Sequence, residues 1–182
     1  SKLAWIRKQR TRMLNQIRPL PDRFLENENH YFSGKAYPLK IIANYNFHSA
    51  DLVDQQIILN LPPDAGTEKR RSVLNEWYHR ELIRLIHPLI NKWENILNVS
   101  VSSFYIRSMK TRWGCCTPKT HRVRFNLELA KRSPECLEYI VVHELVHLLE
   151  ASHNRRFKAL MDYYYPDWRL CRKELHSSVI PS

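Results

Sequence analysis

Three observations predict an α+β fold for this chain, a single compact domain with a small antiparallel or mixed sheet. Residues 67–97 repeat apolar side chains at helical spacing, four short runs alternate as strands do, and a second helical pattern begins at Ser133. With 182 residues, 43% of them hydrophobic, the chain is long enough to bury one core, and one domain over 1–182 is the expectation. No internal repeat, low-complexity tract or dividing linker interrupts it.

In chain order, a basic helix is expected over residues 2–16, stopped by Pro19 and Pro21. Strands follow at 37–43 and 56–61. Pro62-Pro63-Asp64-Ala65-Gly66 then marks a turn, and Thr67 is the expected cap of a helix running to about Leu97. That helix has a stripe of Val73, Leu74, Trp77, Leu82, Leu85, Ile86, Leu89, Trp93 and Ile96, with Pro88 predicting a kink. Residues 101–107 and 121–127 read as strands around a loop that holds Trp113, a core side chain by its type. Ser133-Pro134-Glu135 reads as an N-cap, a first-turn proline and an acidic residue at the positive helix end. Leu137, Ile140, Val141, Leu145, Leu148 and Leu149 give the helix a stripe to bury, and it is expected to end near residues 150–152.

This last helix carries His143-Glu144-Leu145-Val146-His147. Residues four apart on a helix lie about 40° apart around the axis and about 6 Å apart along it, so two imidazoles at that spacing reach one ion. Glu144, one residue on, flanks the metal as a base without ligating it. A catalytic zinc takes three protein ligands and keeps a fourth position for water, so a third ligand is required. His153 is the first candidate, because a turn past the helix end swings it back. Glu150, Asp162, Glu174 and His176 are rivals without local spacing in their favour. The spacing HExxHxxxxxH occurs in one large zinc-peptidase class, but that class has glycine where this chain has Glu150.

The stretch Met109-Lys110-Thr111-Arg112-Trp113-Gly114-Cys115-Cys116, then Arg124-Phe125-Asn126-Leu127, then Leu137-Glu138-Tyr139-Ile140-Val141-Val142 running into the motif, resembles the YgjP-like zinc metallopeptidase family. So do His153-Asn154-Arg155-Arg156-Phe157 and Tyr165-Pro166-Asp167-Trp168-Arg169, and together these cover a motif-dense core over 101–175. Upstream, Gly34-Lys35-Ala36-Tyr37-Pro38-Leu39 is similar to the family's short hairpin and Glu76-Trp77-Tyr78 to its long helix. The resemblance implies a compact zincin-like domain with His143, His147 and His153 as zinc ligands, Glu144 as base and a polypeptide substrate. It also implies a further strand-rich segment ahead of Trp5. Cys115 departs from the family, which usually has serine there.

Beside the motif, residues 121–127 are the candidate edge strand for pairing with an extended substrate. Asn126 and Arg112 are candidates for orienting the site, and Tyr163, Tyr164 and Tyr165 for donating a hydroxyl to an oxyanion.

A second reading comes from charge. The formal net charge is +11, which favours polyanions. Lys2, Arg7, Lys8, Arg10, Arg12 and Arg18 precede any acidic residue, and residues 95–127 contain Arg107, Lys110, Arg112, Lys119, Arg122 and Arg124 with no acidic side chain. Such stripes track phosphates, so the alternative is a nucleic-acid-associated zinc protein, either a peptidase for nucleic-acid-bound proteins or a binding module that cleaves nothing. A third reading makes the zinc structural, with Cys115 or Cys116 as a fourth ligand. No pair among Cys115, Cys116, Cys136 and Cys171 forms a CxxC motif, and no run approaches a membrane span or a signal peptide. A reduced, cytoplasmic setting is expected.

Overall fold

A computed structural model describes residues 23–177, so the basic helix expected over 2–16 lies outside the described residues. The core gathers around α1 (Thr67–Leu97), whose buried side chains Val73, Leu74, Trp77, Tyr78, Leu82, Ile86, Ile90, Trp93 and Leu97 advance in helical steps. Two details correct the sequence reading. Ile96 is 46% exposed and Leu97 is buried in its place, because a step of four from Trp93 stays on the buried face. Thr67 is the first helical residue and not the cap; Gly66 holds that position in extended conformation, its carbonyl accepting from Lys69 and Arg70. Pro88 lies inside the helix, which continues through it.

The first sheet contains β1 (Asn29–Phe32), β2 (Lys35–Ala43), β3 (Ser49–Val53) and β4 (Gln56–Leu61) in the order β1-β2-β4-β3. β2 and β4 are parallel, and the outer strands run antiparallel to them. Both hairpin turns put two residues at positive φ, Ser33 with Gly34 and Asp54 with Gln55, which suits the twist of the flanking strands. Gly34 matters for docking as well. A β-carbon there would come within 3.0 Å of the Ser133 Cα, and the Ser33 N–H donates to the Ala130 carbonyl, so this hairpin seats against the start of the metal-site helix.

The second sheet contains β5 (Ser103–Arg107), β6 (Gly114–Thr117) and β7 (Arg122–Asn126) in the order β5-β7-β6. Here the expectation of an edge strand over 121–127 is overturned. β7 pairs with β5 on one side and β6 on the other, so its backbone groups are already used. The chain after β5 crosses over, returns antiparallel as β6, and only then enters the middle. β6 was hidden in the sequence because Gly-Cys-Cys-Thr shows no alternation of polarity.

α2 (Pro134–Val146) is buried nearly all round and has no narrow stripe: Cys136, Leu137, Tyr139, Ile140, Val141, Val142, Glu144, Leu145 and Val146 are all covered. α1 and β6 pack against it, as do α3 (Arg155–Tyr164) and α4 (Trp168–Ser177). No helix among the described residues is long and apolar enough to cross a membrane.

Candidate metal centre

Ser133 opens α2 as expected, its Oγ accepting from the Cys136 N–H at 3.3 Å with Pro134 in the first turn. The helix ends earlier than expected, at Val146. Leu148 and Leu149 then bond back to Leu145 and Val146, a tighter turn that starts the reversal sooner. The reversal bends back on His147, whose Nδ1 lies 3.1 Å from the Glu150 carbonyl. A carbonyl only accepts, so Nδ1 carries the proton and the Nε2 lone pair is left for another partner.

The Glu150 carboxylate shapes the same turn. It accepts from the Ser152 N–H and Oγ and lies 3.8 Å from Arg156, which brings His153 round. The His153 Nε2 comes to 2.9 Å from the His143 Nε2. Asn154 caps α3 by accepting from the Phe157 N–H, and this fixes Phe157 beneath the cluster with its ring centroid 4.7–4.9 Å from all three imidazoles.

One potential ligand atom from each of His143, His147 and His153 lies within 4.8 Å of the others, and among the described residues no other group of histidines, cysteines or carboxylates gathers this way. The rival ligands are engaged elsewhere or stand apart. Asp162 binds Trp168 Nε1 and Arg169, Glu174 lies 3.4 Å from Ser133 Oγ, and His176 lies 3.4 Å from Arg172. Cys115 and Cys116 are free thiols outside the cluster.

These residues fit a cation. His143 Nδ1 is buried without a hydrogen-bond partner, and its Nε2 faces another imidazole nitrogen. Burial and the neighbouring His147, His153 and Arg172 hold the His143 imidazolium down to about 3. His147 and His153 are lowered as well, first by burial. Three rings held neutral by burial, converging on one point with a buried ring nitrogen left unpartnered, suit the lone-pair donor set of a bound cation.

Glu144 follows His143 on the helix and is only 4% exposed, its carboxylate set against β6 at Gly114 and Cys116. Burial raises its carboxyl to about 8, opposed by the Cys116 backbone N–H and the Arg112 charge. Its pocket depends on a residue to which sequence reasoning assigned no role. A β-carbon on Gly114 would meet Glu144 Oε1 at 2.5 Å, so only glycine lets β6 close on the carboxylate. With just 3 glycines in the chain, Gly114 itself was the available signal, but the strand it opens was not legible.

The other expected participants separate. Asn126 is fully buried and holds the loop after β5, donating to the Met109 and Arg112 carbonyls and accepting from the Met109 and Glu128 N–H groups. It thereby ties the backbone at Met109 and Arg112 to β7. Trp113 is half-buried against the core, with the Arg132 guanidinium 5.0 Å above its ring. Of the three candidate tyrosines, Tyr165 donates to the Glu135 carbonyl, Tyr163 is exposed, and Tyr164 packs edge-on against Tyr163.

A helix carrying two histidines and a buried glutamate, with a third histidine brought back beside them, is the kind of arrangement that metal-dependent hydrolases use. The family model for the YgjP-like metallopeptidase domain matches residues 1–178, and the chain belongs to that family. It is a metallopeptidase, a hydrolase of peptide bonds. Comparison with curated proteins finds no match. Among solved structures, the metallopeptidase zymogen abylysin of Pyrococcus abyssi is similar at 18% identity, over 50% of this chain and 92% of its own, with a TM-score of 0.47. The zymogen of jannalysin from Methanocaldococcus jannaschii is similar at 24% identity, over 52% and 97%, with a TM-score of 0.45.

Proposed function

We propose that this chain is a zinc peptidase in which His143, His147 and His153 hold the ion and Glu144 moves the proton. The convergence of three imidazoles beside one buried carboxyl carries the reading. Three neutral nitrogens suit zinc, and three protein ligands leave a position open. Bound zinc supplies Lewis acidity, which brings the pKa of a water toward neutrality and polarises a carbonyl. Glu144 accepts the proton of the attacking water and delivers it to the amine nitrogen as the C–N bond breaks. The Cys116 N–H and the Arg112 charge steady its anionic form before the first transfer and after the second.

The substrate is an extended polypeptide laid along the free edge of β6. The Trp113 carbonyl accepts from Asn126 in β7, so by alternation Gly114 and Cys116 turn their backbone groups outward. The Cys116 N–H is used by Glu144, and the Gly114 N–H and carbonyl are the pairing groups for the peptide.

The test is metal content per chain with a zinc-edge absorption spectrum, on the wild type and on His153→Ala. One zinc with a nitrogen and oxygen shell, lost in the variant, is the expected result. A sulfur in the shell would bring in Cys115 or Cys116 and overturn the open-site reading.

A further inference from the structure

We infer that the outer face of the second sheet is a docking platform for single-stranded nucleic acid. Up to Asn126, which is buried at the end of β7, the two faces of this sheet differ in character. Val123, Phe125 and Ile106 turn inward to the core, while Arg122 and Arg124 of β7 and Tyr105 and Arg107 of β5 turn outward and are exposed. Register places Ser103 beside Arg122 and Tyr105 beside Arg124, so the aromatic ring and the arginines form one patch and not a scatter along the chain.

Charge on this patch is uncompensated. No ion pair among the described residues involves Arg107, Arg122 or Arg124, and residues 95–127 contain no acidic side chain to provide one. Lys119 follows β6 in the turn toward β7, and the loop held by Asn126 adds Lys110 at the opposite end of the strands. Tyr105 is 43% exposed, and its hydroxyl accepts from Ser103 Oγ at 3.1 Å, which ties the ring to its own strand. Guanidinium groups at successive outward positions of β7 recur about 7 Å apart, close to the spacing of phosphates in an extended strand. An exposed aromatic among such arginines stacks a base without regard to sequence. Double-stranded nucleic acid offers phosphates but no free base to Tyr105, and an acidic polypeptide offers no flat ring.

The experiment is fluorescence anisotropy of a labelled oligothymidine titrated with the full chain across a salt series, a readout independent of peptide hydrolysis. Binding at about 50 mM salt is expected, with a log–log slope near −2 for about three neutralised phosphates. Arg122→Glu/Arg124→Glu is expected to cut affinity at least tenfold and flatten the slope by about 1.4. Arg122→Gln/Arg124→Gln should reproduce the direction of that loss with an unchanged thermal midpoint, which separates it from misfolding. Tyr105→Ala should weaken binding about 5- to 100-fold. Absence of binding at low salt, or full affinity in either double variant, would overturn the inference. So would polyglutamate competing as well as the oligonucleotide while Tyr105→Ala changes nothing.

Discussion

The two sheets repeat one three-strand topology. In each, a strand crosses over to a hairpin whose second arm returns parallel to the first strand, so β2, β4 and β3 correspond to β5, β7 and β6. The outer hairpin arms diverge. β3 is covered by α1, with Arg80 donating to the Ala50 carbonyl at 2.9 Å and to Asp51 at 3.0 Å, whereas β6 lies on α2 with a glycine against Glu144. The hairpin turns differ too: two residues, Asp54 and Gln55, close the first, and the 3-10 turn Pro118–Thr120 with His121 at φ 52 closes the second. Shared topology therefore provides a place for an edge strand, and the side chains decide whether that edge becomes scaffold or site.

Substitutions can break this comparison or sharpen it. The largest effect is expected from Glu144→Gln, which removes the proton carrier and leaves the three histidines: turnover of a fluorogenic peptide should fall about 10²- to 10⁴-fold with metal content unchanged. Full turnover would remove Glu144 from the mechanism. Gly114→Ala comes next. The added methyl meets the carboxylate, so β6 must shift, at a cost of about 1–3 kcal/mol in urea unfolding and with a drop in kcat. An active, equally stable variant would mean that β6 does not form the wall of the site.

Asn126→Ala should cost about 1–3 kcal/mol, because the fully buried amide is lost and the Met109 and Arg112 carbonyls and the Met109 N–H lose their partner. Limited proteolysis should then cut near residues 109–112 earlier than in the wild type. The smallest effect belongs to the first sheet. Arg80→Ala, at an exposed ion pair, should change stability by less than about 1 kcal/mol and leave peptide turnover alone. Loss of turnover there would show that the two outer arms are not functionally separate.

Some of the chemistry and much of the fold were legible in one dimension, and the reasons are local. His143, Glu144 and His147 share one helix, whose period alone relates them, and Ser133-Pro134 announces where that helix starts. β2 and β4 alternate cleanly because one face of each is buried. β1, at four residues, is too short to show a period, and β6 has a different neighbour on each face, so neither pattern could reveal them. The edge assignment of residues 121–127 failed because strand order is not a property of any single strand. Period-two alternation says which face is buried and nothing about which edges are paired.

What the chain determined by itself was therefore the set of groups and their helical spacing: two histidines and a glutamate on one helix, a third histidine beyond a turn, and an acid-free stretch over 95–127. Only the tertiary structure decided that β7 lies inside its sheet, that Gly114 closes on Glu144, and that Tyr105 stands beside Arg124. Spacing along a helix follows from covalent geometry and one hydrogen-bond pattern. Contact between segments far apart in sequence depends on how whole elements pack, and that is set by the buried surface they share.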